Sequence, residues 1–192
     1  VFTGNIPDNV VAPTDGLLYS HILAACMDLP AAAAHQTYAN FGLTFEYPMG
    51  FSVAEMAFPG HDEITDDAGS VQFRFDAYPF ELIQALWTAA EPGVDLEAYL
   101  GQVFSLGSQQ PGDAYTVGSA RAWTKGEHAA LFQSFDFQQQ GVHMKGAIVA
   151  WYCDDSERIT LFIYLTDPEI PDQDLAARMQ EHLDSFTCHT LD

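Results

Sequence analysis

The sequence predicts an α/β domain of the α+β kind, an α/β/α sandwich around a central antiparallel sheet. Three observations carry this. Four strand-like runs follow one another across connections such as Gln140-Gly141 and Asp154-Asp155-Ser156, which are too short for crossovers, so the strands must be antiparallel neighbours. The last of these runs is apolar on both faces, which requires a covering layer on each side. Amphipathic helical patterns stand before and after the four runs and can supply those layers.

Taken in order, residues 1–35 carry Pro7, Pro13, Pro30, several turn-forming residues and the run Ala31 to Ala34, and read as an N-terminal extension or docking arm. The texture changes near Tyr38, and residues 36–192 read as the domain. Asn40 to Tyr47 alternates Phe41, Leu43 and Phe45 with smaller or polar neighbours and stops at Pro48. Phe51 to Phe58 repeats the alternation, and the two are expected to form a first hairpin. After an acidic loop, His61 to Gly69, a third strand runs from Ser70 to Tyr78 with Val71, Phe73 and Phe75 on one face.

Phe80 to Ala90 has Leu82, Ile83, Leu86 and Trp87 at helical spacing and is read as a short helix or lid. Asp95 is placed to cap a helix whose apolar positions are Leu96, Tyr99, Leu100, Val103 and Phe104, and Gly107 is placed to end it. The four runs are Tyr115 to Trp123, Ala129 to Gln139, Val142 to Cys153 and Glu157 to Thr166. In the last, Ile159, Leu161, Ile163 and Leu165 face one way, and Phe162 and Tyr164 face the other. Asp172 is placed to cap a final helix with Leu175, Ala176, Met179, Leu183 and Phe186 on one stripe.

The 192 residues are enough for one sizeable core, and hydrophobic residues make up 48% and aromatics 13%, so disorder is not expected outside the ends. Acidic residues number 27 against 6 Lys plus Arg, a net charge of -21 with charged residues at only 17%. The imbalance is a shortage of bases more than an excess of acids. A field of this sign repels phosphate backbones and anionic lipid surfaces, which argues against nucleic-acid binding. It suits a saline or extracellular setting or a cationic partner. No apolar run approaches the roughly 20 residues of a membrane span, so no transmembrane span is expected. Leu23-Ala24-Ala25-Cys26 looks like a lipoprotein cleavage box, but no Lys or Arg precedes it and Ser20 and His21 interrupt the apolar stretch, so a signal peptide is not expected.

The order of a hairpin, a middle helix, an antiparallel meander and a final helix resembles the PsbP-like family. The residues that carry the likeness are Asn40-Phe41-Gly42-Leu43-Thr44-Phe45-Glu46-Tyr47-Pro48, Gly50-Phe51, Gly118-Ser119-Ala120 and Asp184-Ser185-Phe186, within residues 38–187. That family includes the extrinsic photosystem II protein of the lumenal side, exported bacterial lipoproteins and chaperones of secretion effectors. The resemblance implies a sandwich that works by docking onto other proteins, and it carries over no catalytic residue. The long arm and the acidity depart from the pattern and leave the partner open.

Three cysteines are present, Cys26, Cys153 and Cys188. A final helix returning along the last strand covers about 24 Å against the strand's roughly 33 Å. Its end at Cys188 should therefore come back beside the hairpin that holds Cys153, and a Cys153 to Cys188 disulfide is expected. Cys26 is left over as free, lipidated, buried or available to a partner chain.

No G-x-S-x-G, H-E-x-x-H, C-x-x-C, glycine-rich phosphate loop or G-x-G-x-x-G occurs. The bases are only Arg74, Arg121, Lys125, Lys145, Arg158 and Arg178, too few to converge on phosphoryl groups. No catalytic, cofactor-binding or metal-ligating set is assigned. The best local constellation is His61, Asp62, Glu63, Asp66 and Asp67, a loop that could hold a divalent cation weakly but is more simply a solvated acidic turn. His143, Lys145 and His182 read as structural, and Trp87, Trp123 and Trp151 as core in preference to a ligand pocket. The expected function is a non-enzymatic extracytoplasmic accessory or binding subunit that docks in a protein assembly through the sheet layer and the arm. The alternatives are a hydrolase with its pocket between residues 80–90 and the sheet, and an exported cation-binding protein.

Overall fold

Asp95 acts as a helix cap: its Oδ1 accepts hydrogen bonds from the backbone N–H groups of Glu97 and Ala98, both at 3.0 Å, and opens helix α1, Leu96–Gly107. The structure, a computed structural model, describes residues 35–76, 80–107, 113–139 and 141–189. The chain divides into two units, Val1–Ala34 and His35–Asp192. The proposed arm, the Leu23 to Cys26 match and Cys26 itself lie outside the described residues.

The strands are β1 (His35–Asn40), β2 (Leu43–Pro48), β3 (Ser52–Met56), β4 (Ala68–Phe75), β5 (Glu81–Ala89), β6 (Asp113–Val117), β7 (Arg121–Lys125), β8 (His128–Gln139), β9 (Val142–Cys153) and β10 (Arg158–Thr166), and the last helix is α2 (Asp172–Asp184). The main sheet has the order β3-β4-β5-β10-β9-β8-β6, with β7 also on β8, and every described pairing is antiparallel. The meander is as its short turns required: Gln139 pairs with Val142, and Cys153 with Arg158. The predicted run Tyr115 to Trp123 is broken into β6 and β7, which share the outer edge of β8 at its two ends.

Both faces of the sheet are covered. On one, Leu100 of α1 packs with Phe135, Phe137, Ile148, Ala150, Ile159 and Leu161. On the other, Leu175, Met179, Leu183 and Phe186 of the α2 segment pack with Val149, Trp151, Phe162 and Tyr164. The sides assigned to the last strand from its alternation are therefore the sides seen.

Two expectations are corrected. Phe80 to Ala90 is no helix or lid. It is β5, hydrogen-bonded between β4 and β10, with Ile83, Ala85 and Trp87 all 0% exposed. A strand covered on both faces is apolar throughout, so helical spacing is satisfied by accident. The segment is itself part of the sheet, so it does not stand over the sheet as a lid. Nor do β2 and β3 form a hairpin. β2 pairs with β1 through the turn Phe41-Gly42, and β3 pairs with β4. The small β1-β2 sheet lies over the main sheet and buries Leu43, Phe45 and Tyr47 in the α2-side core, while β1, mostly exposed, has no apolar alternation to announce it.

The Phe41-Gly42 turn needs positive φ at both residues, 53° and 70°. A bulky residue adopts this only when held. Phe41 is held by stacking on Trp87 at 5.6 Å, by its N–H donating to Asn40 Oδ1 and by its carbonyl accepting from Arg158 Nη1 at 2.8 Å. A Cβ on residue 42 would stand 2.8 Å from Arg158 Nη2.

Arg158, only 6% exposed, also donates from Nη1 to the carbonyl of Asp66 at 2.6 Å and from Nη2 to that of Cys188 at 3.3 Å. Burial pushes its pKa down, and the charges of Asp66 and Asp67 push it back. Cys153 and Cys188 form the expected disulfide, with Cα atoms 6.4 Å apart. Asp172 does not cap α2. Pro171 holds that position without a side-chain bond, and the Asp172 carboxylate accepts from Lys145 Nζ at 2.7 Å.

Replacing Arg158 by Met leaves three carbonyls short of a donor and is expected to cost about 3 kcal/mol or more in urea unfolding followed by tryptophan fluorescence. Cys153→Ala with Cys188→Ala frees a loop of 35 residues, and in metal-free buffer should lose up to about 4 kcal/mol by the same measurement. His182 packs on the rings of Phe45 and Tyr164. Burial lowers its pKa first, with His35 and Arg178 adding to the fall and Glu81 and Glu181 opposing it. The unfolded chain therefore takes up a proton near pH 6.5 that the folded chain refuses, so this contribution is present above about pH 6.5 and is lost as the pH falls through it. His182→Leu should flatten the fall in unfolding free energy between pH 7.5 and pH 5.5.

Candidate functional site

Among the described residues, strand β3 is an edge strand paired with β4 alone, and all five of its residues are exposed. Val53 and Met56 stand 40% and 39% exposed, and Met49, just ahead of the strand, 53%. From β1, Tyr38 and Asn40 both donate to Glu55 Oε1, at 2.9 and 3.1 Å, and brace the strand from the side of the small sheet. That carboxylate and burial together push the Tyr38 hydroxyl well above the ordinary phenol range, burial contributing most. The result is a braced strand that, among the described residues, offers one unpaired edge and apolar side chains to solvent. Such edges are templates for an added strand from another chain.

The loop proposed to hold a cation is built differently. His61, Asp62, Glu63, Asp66 and Asp67 are all exposed, and their side chains do not converge. The loop's work is done by its backbone: Thr65 O accepts from Trp87 Nε1 at 3.0 Å, Asp66 O from Arg158, and Asp67 O from the N–H of Ala89 at 2.7 Å. His61 rests edge-on against Phe58.

His143 and Lys145 lie two residues apart on β9 but turn to separate partners, His143 to Asp136 at 3.2 Å and Lys145 to Asp172 and the carbonyl of Ile170. Trp87 and Trp151 are core, each 0% exposed. Trp123 instead lines an open cleft of about 530 Å³ with Ala122, Thr124, Gly126 and Gln180, its Nε1 donating to Gln180 Oε1 at 3.1 Å. The hydroxyl of Tyr164 donates to Glu81, which also receives Arg178, and burial raises the Tyr164 pKa to about 12.

Five of the six bases are engaged: Arg74 with Asp76, Arg121 over the rings of Trp123 and Phe132, Lys145 with Asp172, Arg158 with carbonyls and Arg178 with Glu81, while Lys125 is half-buried, its pKa lowered by burial against the opposing charge of Asp184.

Among the described residues, one group of metal-type ligand atoms does converge, and sequence reading missed it: His128, Cys153, Cys188 and His189, within 4.8 Å of one another. A signal existed. Gln139 stands opposite Val142, and the same register carried back along β8 sets His128 opposite Cys153.

No protein-family model matches the sequence, and no curated protein sequence does. Solved structures do match. The solution structure of cyanobacterial PsbP from Synechocystis is similar over 81% of this chain and 92% of that one, at 14% identity and a TM-score of 0.58. LpqN, described as involved in cell envelope biogenesis of Mycobacterium tuberculosis, matches over 80% and 89% at 13% identity and a TM-score of 0.48. The Ran-binding protein Mog1p of Saccharomyces cerevisiae matches over 80% and 95% at 11% identity and a TM-score of 0.49. With its antiparallel sheet, the two helices of the described residues on opposite faces and its likeness to cyanobacterial PsbP, the chain has a PsbP-like α+β fold.

Proposed function

We propose that this protein is a non-enzymatic accessory or binding subunit that docks in an extracytoplasmic protein assembly. The observation that carries the reading is the β3 edge, exposed along its whole length with Val53 and Met56 facing solvent. Long open edges are normally blunted by charge, proline or a covering element. Here Glu55 is the strand's one charged side chain, and it turns back to Tyr38 and Asn40. An extended segment of a partner protein adding to this edge would pair its backbone with β3 and cover the apolar side chains. The net charge of -21 favours a partner whose contacting surface is neutral or basic.

Residues 1–35 supply a second contact in this reading, since Val10, Val11, Leu17, Leu18, Ile22 and Leu23 are more apolar than a solvated tail requires. Work outside the cytoplasm is supported by the Cys153 to Cys188 disulfide, a bond favoured in oxidising compartments. The PsbP-like fold fits a binding role as well.

The test is isolation of the native protein with whatever it holds, followed by mass spectrometry and light scattering. A stoichiometric protein partner is expected. The pair Val53→Lys and Met56→Lys should reduce its retention roughly tenfold while shifting stability by less than about 0.5 kcal/mol, and removal of residues 1–34 should also weaken it. A native protein that runs as a bare monomer, or a partner held equally by the β3 variant, overturns the proposal.

A further inference from the structure

The four side chains gathered at the disulfide end of the sheet come from three places: His128 opens β8, Cys153 closes β9, and Cys188 and His189 follow α2. Cys153 and Cys188 are 0% and 3% exposed, and the side chains of His128 and His189 are 15% and 28% exposed. His189 Nδ1 lies 3.5 Å from the Cys153 sulfur and 3.6 Å from that of Cys188, and His128 Nε2 lies 3.8 Å from the Cys188 sulfur. In a tetrahedral zinc site with Zn–S near 2.3 Å and Zn–N near 2.0–2.1 Å, neighbouring sulfur and nitrogen ligands stand about 3.6 Å apart and two sulfurs about 3.8 Å apart. Three sulfur-to-nitrogen edges of that tetrahedron are thus already near length.

We infer that, when the Cys153–Cys188 bond is reduced, these two thiolates with His128 Nε2 and His189 Nδ1 form a Cys2His2 site for Zn²⁺ or a similar borderline divalent cation.

Three further features fit. The other nitrogen of His128, Nδ1, faces the Asp154 carboxylate at 3.7 Å, the carboxylate–histidine arrangement that sets ring orientation behind a bound metal. Asp155 brings a second carboxylate to 3.3 Å from His189 Nδ1, adding negative potential at the mouth and a further oxygen beside the site. An opening of about 290 Å³, lined in part by Lys125, Glu127, His128, Asp155 and His189, gives an ion a way in. The residue that carries Cys188 is itself pinned, since its carbonyl accepts from buried Arg158. Loss of the sulfur–sulfur bond therefore leaves both thiols close together.

The chemistry balances with a small thiol as reductant. The disulfide takes two electrons and two protons from two thiol molecules, which leave joined as their own disulfide. Zn²⁺ then replaces the two cysteine protons, which pass to solvent. Oxidised, the end of the sheet is closed covalently; reduced, it is closed by a metal. The inference rests on these four ligands and stands apart from the docking role of β3.

Anaerobic reduction with a phosphine, desalting and titration with Co²⁺ tests it. One equivalent should produce the thiolate-to-cobalt charge-transfer and tetrahedral ligand-field absorption, displaced by one equivalent of Zn²⁺, and the oxidised protein should produce neither. His128→Ala with His189→Ala should weaken Zn²⁺ binding by about 100-fold or more, and Asp154→Asn by roughly tenfold. Zn²⁺ should also raise the thermal midpoint of the reduced protein, or refold it should reduction unfold it, and leave the oxidised protein unchanged. Three results would overturn the inference: a reduced chain that neither binds Co²⁺ nor responds to Zn²⁺, octahedral cobalt absorption, or wild-type affinity in the double histidine variant.

Discussion

A single buried cation sets the closed end of this molecule. Arg158, the first residue of β10, spends its guanidinium on the carbonyls of Phe41, Asp66 and Cys188. Those carbonyls belong to the turn of the small sheet, to the acidic loop and to the chain beyond α2, so three excursions from the main sheet are drawn to one point. Burying a charge is costly unless donors and acceptors are matched. Here the acceptors are backbone groups that would otherwise lack partners, and Asp66 and Asp67 supply opposing charge from the surface. The shortage of bases gives this residue more weight, since four of the other five Lys and Arg are engaged elsewhere.

Around that point the disulfide, the strained Phe41-Gly42 turn and the bridge between Thr44 and Thr187 reinforce one another. Phe41 lies on Trp87 of β5, and Thr44 exchanges backbone hydrogen bonds with Thr187 at 3.1 and 2.8 Å. The small sheet is thus clamped both to the main sheet and to the C-terminal segment. At the far edge, nothing comparable covers β3 among the described residues. One end of the fold is held by several mutually supporting contacts, while among the described residues one edge is left open.

The acidity and the ligand cluster meet in the same physical picture. A field of -21 repels phosphate and draws cations. Yet the loop richest in acids gathers no ligand set, because its carboxylates point outward while its carbonyls serve the core. The convergent ligands are two histidines and two cysteines from three segments of the chain, where packing rather than charge density brings them together.

Much of the fold was legible without coordinates. Short turns dictate antiparallel neighbours, Asp95 caps because its carboxylate reaches free N–H groups, and the alternation of Ile159 to Leu165 assigns the faces of β10. Even the disulfide follows from the near-equal lengths of a strand and the helix that returns along it. What the sequence left undecided is whatever depends on contacts distant along the chain. Phe80 to Ala90 is apolar on every side, so period alone does not tell a buried strand from a helix. Polar His35–Asn40 becomes a strand because β2 needs a partner, and Asp172 gives up the cap because Lys145 lies beside it. The open β3 edge and the His128, Cys153, Cys188 and His189 cluster exist only once the sheet order is set. By itself the sequence determined the antiparallel α/β/α class and its charge; tertiary structure decided which edge is bare and which side chains meet, because those depend on register and packing between distant segments.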